Sequence, residues 1–359
     1  MKEHWTILAI NPGSITTKIA LFRDEDSIFE ETIEHSNEEL ERFPRIADQC
    51  DFRKREILDT LRRYGVSLKE LDAIVCRGGL LKPMEAGTYR INEVMIKELQ
   101  DASYGEHASN LAALIAQQLL KDIGEVPAFI VDPPVVDEFE PIARISGTPL
   151  IERKSRWHAL NARSRAKRAA SELGGSYEEM NFIVAHLGGG ITVSAHRRGR
   201  TIDVNNGLLG DGPFSPRRAG TLPIGDLIEL CFSGKYTREE LLRRFSLKGG
   251  LTNYLGTDDG REVEERIAKG DKKAELIYQA MAYQIAKTIG EMATVLKGEV
   301  EAIVLTGGLA RSALLVKWIE ERVSFIAEVK VYPGQEEMRT LAEGALEVLR
   351  GLKEAKIYR

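Results

Sequence analysis

Three glycine-rich segments hold the residues best suited to chemistry in this chain: Asn11-Pro-Gly-Ser14, Leu187-Gly-Gly-Gly190 and Thr306-Gly-Gly-Leu309. Each follows a β-branched run and reads as the end of a strand. Glycine lets the backbone approach a ligand closely, and successive N–H groups then wrap phosphate oxygens. One such turn would merely connect strands; several in one chain point to a phosphorylated ligand. The familiar nucleotide signatures are missing: there is no G-x-x-x-x-G-K-[ST], no G-x-G-x-x-G after a strand and no D-F-G. Metalloprotease H-E-x-x-H is missing too. A basic run from Arg153 to Arg168, with Lys154, Arg156, Arg163, Arg165 and Lys167, reads as a solvated helix face, part of it a candidate for attracting phosphate.

The elements that must position these turns are duplicated. Ile7 to Thr16 resembles Ile183 to Thr192, each a hydrophobic run, a glycine turn and a second alternating run, as in a hairpin. Asp72-Ala-Ile-Val-Cys-Arg-Gly-Gly-Leu80 parallels Glu301-Ala-Ile-Val-Leu-Thr-Gly-Gly-Leu309. Two elements recurring in one order imply two related α/β domains, with ligands at the carboxyl ends of strands. Capping-box spacings at Ser67/Glu70, Ser176/Glu179 and Thr237/Glu240 predict helix starts. Between Asp271 and Leu296 a single helical face is expected to hold Leu276, Ile277, Ala280, Met281, Ile285, Ile289, Met292 and Leu296. A last helix is expected from about Met338 to Leu352.

Length and composition agree with this picture. A chain of 359 residues, 43% hydrophobic and 29% charged, is an ordinary globular composition and long enough for two cores. A net charge of −5 gives no global attraction for nucleic acid. No apolar run approaches the ~20 residues that span a bilayer, and the N-terminus lacks a signal-peptide pattern, so no membrane partner and a cytoplasmic location are expected. Cys50, Cys76 and Cys231 are odd in number and scattered, which predicts free thiols rather than a disulfide or metal framework.

With these motifs in hand, the chain resembles the acetate and butyrate kinase family of the superfamily that includes sugar kinases, actin and heat-shock chaperones. The segments that carry the likeness are Ile10-Asn-Pro-Gly-Ser-Ile-Thr-Thr-Lys18, His186-Leu-Gly-Gly-Gly190, Arg218-Ala-Gly-Thr-Leu-Pro-Ile-Gly-Asp226, Ile303-Val-Leu-Thr-Gly-Gly308 and Gln335-Glu-Glu-Met338. The resemblance implies two duplicated ribonuclease-H-like (actin-like ATPase) domains with a central cleft. The first is expected over 1–149 with 338–359, on the carboxylate side; the second over 150–337, on the nucleotide side. It implies ATP as co-substrate, Mg2+ as cofactor, a small carboxylic acid or acyl phosphate as the other substrate, and a homodimer or higher homo-oligomer. Gly78-Gly-Leu-Leu-Lys-Pro83, the short chain and the His-Leu-Gly-Gly-Gly form lean toward butyrate kinase, with acetate or propionate kinase as the alternative. An ATP-gated activator or binding protein on the same scaffold is the alternative of another class.

Residue roles follow from the resemblance position by position. Asn11, Ser14 and Lys18 fall in the first phosphate hairpin. Asn11 is also placed at the metal with Glu336, and Glu337 stays open as the ligand because the local match tolerates a one-residue slip. His158 and Arg218 match positions that contact the transferring phosphoryl, whose equatorial oxygens need their charge neutralised. Asp132 matches the family's active-site Asp; a carboxylate substrate is already ionised and needs no base, so orientation of the magnesium shell is its expected task. Arg77 abuts Gly78 where the substrate-carboxylate arginine would come a few residues earlier, so it either replaces that residue or capture differs. His186, Gly188, Gly189 and Gly190 are expected at the nucleotide phosphates, with Asp258, Arg261, Gly307 and Gly308 beside adenosine. Val135, Val136 and Leu80 are apolar candidates for the acid's chain.

Overall fold

The structure is a computed structural model that describes residues 2–124 and 126–359. The chain divides into two compact units, Met1–Val136 with Glu336–Arg359, and Asp137–Gln335. The divisions thus fall at 136/137 and 335/336, where the sequence reading set 149/150 and 337/338.

The first unit is built on strands β1 (Thr6–Pro12), β2 (Thr16–Arg23), β3 (Asp26–Glu34), β4 (Ala73–Arg77), β5 (Thr88–Arg90) and β6 (Ala128–Val131). The second carries β7 (Asn181–Leu187), β8 (Ile191–Arg197), β9 (Arg200–Val204), β10 (Ala302–Gly307) and β11 (Val329–Pro333), and β12 (Lys356–Ile357) returns to the first. The sheets run β12-β5-β6-β4-β1-β2-β3 and β11-β10-β7-β8-β9. The duplication is explicit in the pairing. β1, β2 and β3 form an antiparallel meander, as do β7, β8 and β9. On the other side β4 and β6 join β1 in parallel, as β10 and β11 join β7.

Because the central strands are covered on both faces, they read as continuous apolar runs rather than alternating ones. Ile7 to Ile10 and Ile303 to Leu305 are fully buried. In the first unit the helices Cys50–Arg63 and Asn110–Ile123 supply Ile57, Leu61, Leu111 and Ile115 to a core under β1 and β4. In the second, the helix Lys272–Val295 lays Tyr278, Met281, Ile285 and Ile289 beneath β7 and β8. Burying each such side chain is worth about 1.5–3 kcal/mol. The expected face of this helix is corrected at one position: Leu276 is exposed, and Tyr278 takes its place in the core.

The Ser67/Glu70 and Thr237/Glu240 boxes cap helices, whereas Ser176/Glu179 closes only a turn. The last helix spans Glu337–Leu349, beginning where expected and ending before Leu352. All the cysteines are free. No described helix is long and apolar enough to cross a membrane.

Candidate active site

In the second unit the three-glycine loop between β7 and β8 is the pivot. The Gly188 N–H donates to Gly190 O at 3.2 Å, and Gly189 O accepts from Ser215 Oγ at 2.8 Å and Arg217 N at 3.3 Å. The Ser215–Ala219 segment is thereby tied to the glycine loop. Its other side is held by Gly249 and Gly250: Gly249 N donates to Arg217 O at 2.8 Å and Leu251 N to Ser215 O at 3.3 Å. A Cβ on Gly250, whose φ is +53°, would lie 1.6 Å from Ser215 O, so no other residue fits there. Arg218, carried on this segment, donates from Nη1 to Gly207 O and lies directly over Gly190. Burial, and then the neighbouring Arg217 cation, lower its pKa from the usual arginine value.

His158 precedes the helix Ala159–Glu172, and its ring stacks on that of His186, centroids 3.9 Å apart and planes 10° from parallel. His158 Nδ1 lies 3.0 Å from Thr192 Oγ1. His186 Nδ1 meets Asn161 Oδ1 at 2.7 Å, and Nε2 meets Gln335 Nε2 at 3.2 Å. Donating to the one and accepting from the other makes His186 the neutral Nδ1–H tautomer. The buried His186 thus orients the His158 ring and backs the glycine loop, with Gly188 packed against its Nε2.

Beside this cluster opens a cavity of about 540 Å³ whose walls include Gly188, Asp258, Arg261, Tyr278, Gly308 and Arg311. Its volume is that of a small-molecule site. Asp258 is bound to Arg217, and Asp259 caps the helix Gly260–Ala268 while pairing with Arg261 at 2.7 Å. The Arg261 hydrogen bonds hold the Asp259 carboxyl down at about 2. Gly307, at φ +91°, ends β10 where a Cβ would sit 2.3 Å from Leu187 O, which brings the two strand-end turns together. Tyr278 and Arg311 escaped the sequence reading: one looks like another core aromatic of its helix, the other like an ordinary surface cation.

A second cavity, about 430 Å³, adjoins Arg218 and is walled by Ile191, Leu208, Leu209, Pro213, Leu222 and Phe245 among others. Leu80, Val135 and Val136, the apolar candidates for the acid's chain, are not in this wall. Val135 and Val136 are 1% and 0% exposed and belong to the packing of the first unit. Three cations of the basic run are held in ion pairs: Arg153 with Asp203 and Asp211, Arg163 with Glu138 and Arg168 with Glu172.

In the first unit Asn11, the last residue but one of β1, is buried, with Nδ2 donating to Glu337 Oε2 at 2.7 Å. Arg77, at the end of β4, reaches the same carboxylate at 3.2 Å. Glu336 is exposed, occupies the N-cap position of Glu337–Leu349, and has a backbone oxygen that accepts from Thr340 Oγ1 at 3.0 Å. The pair with Asn11 is therefore made by Glu337. Lys18 stands opposite Asn11 in the β1–β2 register and is exposed, as is Ser14 in the turn. Asp132 follows β6 with φ +37°, a conformation an L-residue adopts at a cost. It is held by Gly87, whose N–H donates to Oδ1 at 2.7 Å and whose carbonyl accepts from the Asp132 N–H at 3.1 Å.

Comparison with known proteins gives this arrangement a context. Residues 151–333, just over half of the chain, match the acetokinase family. Among solved structures, acetate kinase from Porphyromonas gingivalis superposes with a TM-score of 0.77 at 20% identity, covering 97% of this chain and 100% of that one. A propionate kinase from Francisella tularensis gives 0.74 at 20% identity over 95% and 98%. Acetate kinase from Entamoeba histolytica gives 0.74 at 17% over 94% and 98%. At such identities the superpositions speak for the fold, a two-domain actin-like ATPase fold. The chain belongs to the acetokinase family, whose members are ATP-dependent carboxylate kinases.

Proposed function

We propose that this carboxylate kinase acts on a short-chain or branched fatty acid of butyrate size, moving the γ-phosphoryl of ATP directly and in line onto the carboxylate, and that it also runs in reverse. The observation that carries the reading is the apolar cavity of about 430 Å³ beside Arg218. A guanidinium in the wall of a mainly apolar cavity suits a molecule with one anionic end and a short hydrocarbon chain. Acetate would leave most of that wall unused, and each methylene buried is worth ~0.8 kcal/mol.

In this reading the cavity of about 540 Å³ takes the nucleoside, and the Gly188–Gly190 loop takes its phosphates. Arg218 and His158 neutralise the oxygens of the moving phosphoryl, and the acid needs no base because it is already ionised. Magnesium suits the donor set of the first unit. Asn11 and Glu337 offer hard oxygen ligands, and no described cluster of His, Cys, Asp or Glu forms an all-protein cage, in keeping with an ion that shares its shell with phosphates. When bound, the ion neutralises phosphate charge. Arg77 draws on the Glu337 carboxylate and fixes it, a task distinct from substrate capture, and Asp132 orients the surrounding shell.

The test is kcat/KM for acetate, propionate, butyrate, isobutyrate and valerate at saturating MgATP. Two methylenes amount to roughly 1.6 kcal/mol, so butyrate should exceed acetate by about fifteenfold. Acetate as the best acid would give the acceptor site to the smaller substrate and remove the butyrate reading.

A further inference from the structure

The Gly13–Thr16 turn joins β1 to β2, and beneath it lies a fully buried arginine, Arg53, which neither the family motifs nor the proposed mechanism uses. Its Nη1 donates to Gly13 O at 2.9 Å, Thr16 O at 2.7 Å and Thr17 Oγ1 at 3.0 Å. Its Nη2 donates to Ser14 O at 3.0 Å and Gln49 Oε1 at 2.8 Å, and Nε reaches Gln49 Oε1 at 3.1 Å. Every nitrogen of the guanidinium is engaged, and every acceptor is uncharged. Among the described residues no carboxylate pairs with Arg53.

A buried cation without a counter-ion is unusual, because desolvating it is expensive unless something compensates. Burial lowers the Arg53 pKa only to about 10, so the charge persists at neutral pH. It is also felt nearby: after burial itself, Arg53 is what lowers the pKa of His35, which lies 2.8 Å from Thr17 Oγ1 through Nε2. The carbonyls of Gly13, Ser14 and Thr16 all turn inward onto this cation. The amides of Ser14 and Ile15, by contrast, donate to no acceptor among the described residues, and both residues are exposed. Exposed N–H groups left without an acceptor and backed by a buried positive charge suit an anion.

We propose that Arg53 is a positioning residue for phosphate binding: its guanidinium draws the turn carbonyls inward, so that the Ser14 and Ile15 N–H groups face a phosphoryl group, and its buried charge adds to that group's attraction. The missing counter-ion is then the phosphate itself. This rests on the reading that the first hairpin meets phosphate.

The test is the affinity of the full-length protein for MgATP and for adenosine, with thermal midpoints, in Arg53→Gln, Arg53→Lys and Lys18→Met. Adenosine lacks phosphates, so it reports the nucleoside cavity alone. The expected result for Arg53→Gln is MgATP binding weakened about tenfold or more, with adenosine binding within about twofold of the parent. Arg53→Lys keeps the charge but not the fork, and weakens MgATP by a smaller factor, again without touching adenosine. If Arg53→Gln does not fold, the lysine variant decides by the same comparison. Equal losses for MgATP and adenosine would make Arg53 a brace of the fold and overturn the inference. Unchanged MgATP affinity in the Arg53 variants with a loss in Lys18→Met would overturn it while leaving the hairpin at the phosphates. No loss in any of them would remove the hairpin reading as well.

Discussion

Gly190→Ala is a small change with a large expected consequence. A Cβ at this position would lie 1.9 Å from Arg218 Nη1, 2.5 Å from Cζ and 3.1 Å from Nε. Gly190 does not have a left-handed φ, so alanine strains no backbone; the cost falls on the guanidinium, the mobile end of a flexible side chain. Arg218 must then leave Gly190 and give up its bond to Gly207 O. One lost hydrogen bond from a charged donor is worth about 1.5–3 kcal/mol of stability, which a fold of ordinary stability survives. Catalysis should not. Losing one preorganised donor at the transferring group costs on the order of 10²- to 10³-fold in kcat, about 2.7–4 kcal/mol. The assay is kcat with thermal midpoints for Gly190→Ala, Arg218→Ala and the double variant. If alanine acts by evicting Arg218, it should lower kcat about as far as Arg218→Ala does and add less than roughly threefold in the Arg218→Ala background. Full additivity, or a Gly190→Ala enzyme within about threefold of the parent, would refute the steric coupling.

Glu337→Gln should raise the magnesium needed for half-maximal activity by roughly tenfold, and Glu336→Gln should leave it nearly unchanged, because Glu337 is the carboxylate that Asn11 meets; the readout is rate against free magnesium, and reversed sensitivities would return the role to Glu336. Leu222→Trp, which fills the cavity beside Arg218, should remove most of the expected fifteenfold or so advantage of butyrate over acetate in kcat/KM while sparing acetate. His35 has its pKa lowered to about 4, chiefly by burial and then by Arg53. The unfolded chain takes up that proton near pH 6.5 and the folded one only near pH 4. Stability from this group is therefore complete above about pH 6.5 and is lost as pH falls toward 4, on the order of 3 kcal/mol. Urea melts at pH 7 and pH 4.5 should show a smaller acid loss in His35→Gln than in the parent.

The duplicated architecture was legible in the sequence because its two halves repeat the same glycine turns at the same strand ends. β1–β2 and β7–β8 are the two hairpins, and β4 and β10 take equivalent parallel places beside them. The Gly188–Gly190 loop was visible for the same reason, its spacing being a local property, whereas Arg218 came into view only through the resemblance of its segment to the acetate and butyrate kinase family. What stayed hidden depends on contacts between distant segments. Glu336 and Glu337 are neighbours in sequence, and only the turn entering the last helix decides which carboxylate meets Asn11. Val135 and Val136 look like pocket material in sequence, yet they are core, whereas Leu208, Leu209 and Leu222 come together through an irregular loop that has no period to read. Arg53 is one of several basic residues along Cys50–Arg63, and nothing local marks it as the one turned inward.

The central claim is transfer of phosphate to a carboxylate, and the most direct measurement is trapping of the product. Purified protein incubated with MgATP, butyrate and hydroxylamine should form butyryl hydroxamate in step with ADP, and none when butyrate is omitted. ADP released without hydroxamate, or hydroxamate formed from acetate but not from butyrate, would contradict the account, the first at the level of the reaction and the second at the level of the acid.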